Sequence, residues 1–313
     1  LELDQRATEM ALHSRINHCY RLLKEYLAQR RGWGIQNAGV LGARPVAYFS
    51  AEFGIHESMP IYSGGLGVLS GDHVKSASDL GIPMVCVGLF YGQGYFRQFL
   101  DDNGYQREEY VDTNVDDIAM RPALDQNQHP VQVNIETREG TIAARVWQLD
   151  IGRIRLFLLD CNVEGNSEDD RKLTSRLYGG DERTRIRQEL VLGVGGVRAL
   201  KILNITPGVF HLNEGHSAFC PLEAIRQKIT ENGHSFETAV RDIAQQTVFT
   251  THTPVPAGHD RFECSLVEEH LGPLRDDLGI SFEQLMGLGR VEPQNKSETF
   301  CMTVIGLKLS RKA

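Results

Sequence analysis

In the run from Tyr48 to Gly71, "YFSAEFGIHESMPIYSGGLGVLSG", three glycines (Gly64, Gly65 and Gly67) lie between a short apolar stretch and an amphipathic one. With no side chains in the way, backbone N–H groups there can approach a ligand directly. A helix starting just beyond adds partial positive charge suited to phosphate. The pattern is not a P-loop, which needs GK[ST], nor a full dinucleotide fingerprint, because Ser70 stands where the third glycine belongs. Spacing alone leaves anion binding and plain turn geometry both open. Glu52, directly after the apolar stretch, is placed either to orient a substrate or to cap the helix or pair with a cation.

Two further segments carry polar residues at the ends of apolar runs. "HLNEGH" sets Asn213, Glu214 and His216 just past a predicted strand, where ligands of open α/β sheets bind. Zinc is excluded there by spacing: His211 and His216 are five apart, and Glu214 does not adjoin the first histidine. A helix cap with local hydrogen bonds is the plainer alternative. "TTHTPVPAGHD" sets His252 after another buried strand, in a loop stiffened by Pro254 and Pro256. Such a loop is a good mount for a hydrogen-bonding histidine, although a lone histidine is more often structural. Neither a G-x-S-x-G elbow nor a cysteine–histidine constellation is present, which sets hydrolase chemistry aside.

These residues need elements to hold them. Leu12, Ile16, Cys19, Leu23 and Tyr26 recur at steps of four and three, predicting an amphipathic helix within residues 8–29. Val46–Ser50 reads as a buried strand. A helix is expected from about Asp72 to Leu80, ended by Gly81 with Pro83 beyond, and "MVCVGLFY" as the next strand. Strand, loop, helix, strand makes a parallel, right-handed unit. Val131, Val133 and Ile135 alternate with polar residues before "REGT", predicting an antiparallel hairpin excursion from the main sheet. "RIRLFLLD" resumes the sheet.

A long helix is expected over 182–200, with Ile186, Leu190, Val194 and Val197 on one stripe. Gly193, Gly195 and Gly196 interrupt it at about 1 kcal/mol each, offset most simply by close approach of another backbone. The strand in "GVFHLNEGH", helices from Ser217 and near 236–245, and the strand in "TVFTTHTP" complete a doubly wound α/β class. A helical segment over 1–45 precedes the lobe over 46–313. Met302, Ile305 and Leu309 read as a terminal helix running to the end of the chain. With no methionine at residue 1, the expectation is a piece of a longer protein.

With 313 residues, 41% hydrophobic and 24% charged, the chain has the composition of an ordinary globular protein. Its formal charge of −8 gives no electrostatic footprint for nucleic acid and does not argue against a neutral sugar. The six cysteines are scattered singly, which reads as buried thiols in a reducing compartment. No stretch approaches a membrane span and no signal peptide opens the chain, so the expected location is the cytoplasm.

Taken in order, "YFSAEFGIHESMPIYSGGLGVLSGDHVKSASDLG", "GLFYGQGYFRQ", "LYGGDERTRIRQELVLGVGGVRAL", "FHLNEGHSAF" and "VFTTHTPVPAGHDRF" resemble the glycogen (α-glucan) phosphorylase family, in its shorter bacterial and archaeal branch. The resemblance spans residues 46–313. It implies transfer of the terminal glucose of an α-1,4-glucan or maltodextrin to inorganic phosphate, giving α-glucose 1-phosphate, by a homodimer of two-lobe (GT-B type) subunits. It implies pyridoxal 5′-phosphate as cofactor, whose phosphate exchanges a proton with the substrate phosphate. By the same resemblance, Gly64 and Gly65 bring N–H groups to the substrate phosphate and the cofactor's edge, with Leu66 beside the glucose. His252 matches the histidine that contacts the glucosyl residue and stabilises its oxocarbenium-like charge. Glu52 matches a cleft glutamate, Asn213, Glu214 and His216 a family segment, and Asn162 lies near a glucan-contacting loop.

Gly54 stands where the long animal enzymes have a tyrosine, which puts one cofactor contact in question. The Schiff-base lysine and the phosphate-clamping basic residues belong to the family's C-terminal lobe, expected to be absent here, so this chain alone is expected to be inactive. Two other readings are carried: a nucleotide-sugar glycosyltransferase resembling glycogen or starch synthase, which also has a GGLG loop, and a non-catalytic glucan-binding module.

Overall fold

The computed structural model describes residues 2–9, 12–29, 32–255 and 258–313. The strands are β1 Val46–Phe49, β2 Met84–Leu89, β3 Arg97–Leu100, β4 Gln106–Glu109, β5 Met120–Pro122, β6 Gln132–Thr137, β7 Gly140–Ile151, β8 Ile154–Asp160, β9 Val209–Asn213, β10 Thr247–Thr250, β11 Arg261–Phe262 and β12 Phe300–Cys301. The helices are α1 Glu2–Glu9, α2 Leu12–Ala28, α3 Trp33–Asn37, α4 Gly65–Leu80, α5 Glu168–Lys172, α6 Glu182–Leu190, α7 Gly196–Ile202, α8 Cys220–Asn232, α9 Phe236–Gln246, α10 Cys264–Leu278, α11 Phe282–Gly289 and α12 Met302–Lys308.

Five strands are parallel and lie in the order β10-β9-β1-β2-β8. Numbered by their place in the chain and read from β8, they run third, second, first, fourth, fifth. This is the Rossmann order, and its topological switch falls between β1 and β9. β2 is buried along its whole length, as a central parallel strand covered on both faces must be. Alternate residues of β1 show the two layers. Tyr48 packs on α4, with its ring 4.8 Å from His73, whereas Phe49 faces the opposite layer, where a Cβ on Gly196 would come within 2.6 Å of its ring.

The βαβ unit over β1, α4 and β2 has the expected parallel pairing. Gly81 adopts a left-handed backbone at φ 68° and caps α4. The helix starts earlier than expected, at Gly65 rather than near Asp72, because its first turns are wedged against the 52–62 segment. The Gly54 N–H donates to the Gly67 carbonyl at 2.7 Å. A Cβ on Gly67 would overlap Tyr62, and one on Gly71 would overlap the Gly54 carbonyl. The low helix propensity of glycine is the cost of that contact.

The β6–β7 hairpin forms with its turn at Arg138-Glu139, but it extends the main sheet instead of leaving it. β7 pairs antiparallel with β8 from Arg145↔Asp160 to Ile151↔Ile154, so the sheet is mixed. The apolar alternation in Val133, Ile135, Ile142 and Ala144 demands this, since all four are buried. Two short antiparallel pairs stand off the sheet, the exposed ribbon β3–β4 and the pair β11–β12.

The expected long helix is α6 continuing through a π-helical turn, Val191–Gly195, into α7. Only at Gly193 of the three would an added Cβ meet another backbone, 2.7 Å from the Cys220 nitrogen. Gly195 and Gly196 accommodate core side chains, Leu159 at 2.9 Å and Val87 at 2.7 Å from a built Cβ.

Two amphipathic patterns end differently from their reading. In α2 no residue is buried, and Ile16 and Leu23 stay about half exposed. The helix meets the lobe through Tyr26, whose hydroxyl lies 2.7 Å from Ser78 Oγ and whose ring sits 4.0 Å under the Arg153 guanidinium. Periodicity specifies an apolar face, not what covers it. At the other end α12 stops at Lys308. The chain then runs beside β10, where the Arg311 N–H donates to the Thr247 carbonyl at 3.0 Å and the Phe249 N–H to the Lys312 carbonyl at 2.9 Å. No helix among the described residues is long and apolar enough to cross a membrane.

Candidate active site

The carboxyl ends of β1, β9 and β10 converge on the switch point. Ser50, Ala51 and Glu52 leave β1, Asn213 and Glu214 leave β9, and Thr251 to Pro254 leave β10. A cavity of about 660 Å³ opens there, lined by residues that include Gly65, Leu66, His216, His252, Arg185 and Asp260.

Glu52 is 2% exposed and turned into the protein. Its Oε2 accepts from the Ser63 N–H at 2.7 Å and the Gly64 N–H at 3.3 Å, and its Oε1 accepts from the Tyr178 hydroxyl. It therefore caps the entry to α4. Gly64, the N-cap, offers no side-chain bond, and the N–H groups of Gly65 and Leu66 are among the first of the helix, which have no intrahelical acceptor. Of the two glycines singled out in the sequence, Gly65 is the one whose N–H is uncommitted. A Cβ on Gly64 or Gly65 would meet nothing within 4 Å, so the space above them is open.

A buried chain of hydrogen bonds joins this helix to His252. Ser70 Oγ donates to the Leu66 carbonyl at 2.9 Å and lies 2.9 Å from Ser50 Oγ. Asn213 Nδ2 donates to Ser70 at 3.0 Å and Ser50 at 3.2 Å, and Asn213 Oδ1 lies 2.9 Å from His252 Nε2. With its amide nitrogen spent on the serines, Asn213 presents its oxygen to His252. That oxygen calls for an N–H at His252 Nε2. Ser70, the residue that broke the glycine fingerprint, is a hub of this chain.

Glu214 does not face the cavity as an open carboxylate. At φ 65° its backbone is left-handed, which aims the side chain at the loop after β10. Its carboxylate accepts from the His252 N–H and, at 3.2 Å each, from the hydroxyls of Thr251 and Thr253. It is the brace of the His252 loop. Pro254 lies in that loop, and Pro256 lies outside the described residues.

Behind these stands a charged wall that joins His216, a candidate from its motif, to Tyr178, Arg185 and Asp260, which lay within the quoted motifs without a role. Arg185 donates to Asp260 Oδ2 at 2.9 Å, His216 Nε2 lies 3.7 Å from the same oxygen, and the Arg185 guanidinium is 5.2 Å over the Tyr178 ring. Burial, then the Arg185 charge, lowers the His216 pKa and keeps that ring neutral. Burial, then the Glu52 charge, raises that of Tyr178, keeping it a donor. Beneath His252, His211 is pushed down to about 4 by burial and by His73 and His252. Asn162 is not in the cavity's lining; its side chain accepts from Arg171 at 2.9 Å.

The arrangement sets a helix terminus with uncommitted N–H groups, a fixed histidine and an arginine around one cavity at a Rossmann switch point, where the ligands of open α/β sheets bind. A family model described as "Protein of unknown function (DUF3417)" matches residues 1–59. The chain is 41% identical to the glycogen phosphorylase of Mycobacterium tuberculosis over 99% of its own length and 38% of that protein's. It is 41% identical to the maltodextrin phosphorylase of Thermococcus litoralis over 85% of its length and 31% of that protein's, and 34% identical to the glycogen phosphorylase of Aquifex aeolicus over 86% and 38%. The chain belongs to the glycogen/maltodextrin phosphorylase family and spans 31% to 38% of these relatives' length.

Proposed function

We propose that the protein to which this chain belongs is an α-1,4-glucan phosphorylase and that the cavity at the switch point is one wall of its active site. In the reaction, the bond from C1 of the terminal glucose to the glucan oxygen breaks and a bond from C1 to a phosphate oxygen forms. The phosphate's proton ends on the departing 4-hydroxyl. The observation that carries this reading is the uncommitted start of α4, with its open space at Gly64 and Gly65, facing the braced His252 across a single cavity.

Gly65 and Leu66 would direct N–H groups toward the substrate phosphate, with the Leu66 side chain against the glucose. His252, its ring held by Asn213 and its loop by Glu214, would face the sugar where positive charge develops; such fixed dipoles contribute mainly in the transition state. Arg185 adds a cation to the same wall. Glu52 and Glu214 act as braces of the substrate-facing backbone.

The open edge at Gly64–Gly65 fits the phosphate side of pyridoxal 5′-phosphate, and no lysine lines the cavity among the described residues. When bound, that group supplies acid–base chemistry to the substrate phosphate. Its lysine is assigned to the family's second lobe, and this chain alone to an inactive state. The reading extends to a cytoplasmic homodimer acting on glycogen or maltodextrin, without nucleic acid or membrane. Within the chain, the proposed division is a helical segment 1–45 and a lobe 46–313; the exposure of α2 favours a separate helix, whereas Gly32 and Gly34 pack on the Leu80–Ile82 backbone of the lobe.

The test incubates the full-length protein with maltoheptaose, inorganic phosphate and pyridoxal phosphate, with an ADP-glucose reaction alongside. Cofactor-dependent glucose 1-phosphate supports the proposal. Glucosyl transfer from ADP-glucose would overturn it in favour of a synthase, and glucan binding without either reaction in favour of a binding module.

A further inference from the structure

Glu189, on α6 one turn after Arg185, is 2% exposed, and among the described residues neither of its carboxylate oxygens accepts a hydrogen bond. Its side chain faces the Asp260 carboxylate instead, and ligand atoms of Glu189, Asp260 and His216 all lie within 4.8 Å of one another. Two carboxylates facing each other out of water cannot both stay ionised without a counter-charge. One is present, the Arg185 guanidinium, and it is bound to Asp260. A divalent cation among the three side chains would sit against that guanidinium. A single proton balances the cluster: one arginine, one carboxylate, one carboxylic acid.

We infer that Glu189 is a neutral acid that donates a hydrogen bond to Asp260 and thereby acts as a positioning residue for Arg185 in the cavity wall. Asp260 then accepts from Glu189 and Arg185 while His216 stands beside it, and Arg185 cannot swing away without leaving Asp260 unsatisfied. The groups around Glu189 from the surrounding elements are Asp260, Arg185, His216, Tyr91 two residues past β2 and Cys301 on β12. Burial, then the Asp260 charge, raises the Glu189 pKa well above the ordinary carboxyl range. Burial pushes Asp260 up as well, but the Glu189 hydrogen bond and the Arg185 charge outweigh it and hold it low. The opposite shifts assign the proton to Glu189.

Only the kinetic consequence rests on the phosphorylase reading; the protonation state does not. The test is infrared difference spectroscopy of the full-length protein at neutral pH, wild type against Glu189→Gln. The expected result is loss of one carboxylic-acid C=O band. Asp260→Asn, whose amide would donate to Glu189 and allow it to ionise, is expected to remove the same band by a second route. If wild type has no such band, or if it survives both substitutions, the inference is wrong. In the phosphorolysis assay, Glu189→Leu is expected to lower kcat/KM by about tenfold or more, and Glu189→Gln, which still offers a donor, to recover most of it. Equal losses in the two variants would overturn the positioning role while leaving the phosphorylase proposal intact.

Discussion

The polar residues named from sequence reach the switch point in two functional groups. His252 and the Gly65–Leu66 backbone face the cavity, whereas Glu52, Asn213 and Glu214 hold those groups in place. Sequence could place all of them at strand ends, but whether a carboxylate points at a ligand or at a backbone depends on rotamers set by distant partners. Tyr178 reaching Glu52 across 126 residues is one such partner. Arg185 and Asp260 were illegible for the same reason, since only folding joins a helix on one side of the sheet to a loop beyond β10. His211 gives a test at this scale. Its folded pKa of about 4 lies below the ordinary 6.5, so the unfolded chain binds more protons between those values. By linkage, stability is full above about 6.5 and falls as pH drops toward 4. His211→Asn is expected to flatten that part of the Tm-against-pH profile; an unchanged slope would mean that His211 does not titrate in this way.

At the level of elements, the α/β alternation was readable because buried strands and amphipathic helices have distinct periods, and the start of α4 was not. Its glycines reflect contact between elements, which no local pattern encodes: Gly54, Gly67 and Gly71 bring α4 against the segment after β1. Gly71→Ala is expected to destabilise the fold by about 1–3 kcal/mol, read from the urea midpoint, because the added methyl overlaps a backbone carbonyl that cannot move alone. The α4 terminus itself is probed by Gly65→Val. A Cβ there meets nothing in the protein, so the fold should hold while the KM for phosphate rises about tenfold in the full-length enzyme. A folded variant with unaltered phosphate KM would remove the helix terminus from the site.

For the whole molecule, the sheet order puts one wall of a cleft on this chain, with His252, Arg185 and an uncommitted helix terminus at the carboxyl edge of the parallel strands. The hairpin read as an excursion belongs to that sheet: β7 pairs with β8, and the hairpin's apolar stripe packs on the π-helical turn and α10. The exposed apolar face of α2 is the counterpart: a pattern read correctly as a helix whose covering surface lies outside what the pattern encodes. The central claim is that glucosyl transfer happens against this wall. It is tested most directly by measuring kcat for phosphorolysis of maltoheptaose and the oligosaccharide Kd in the full-length enzyme, wild type against His252→Ala. The account predicts a fall in kcat of about a hundredfold with Kd changed by less than about threefold, as expected for a group acting in the transition state. An unchanged kcat would contradict it and move the chemistry away from this cavity.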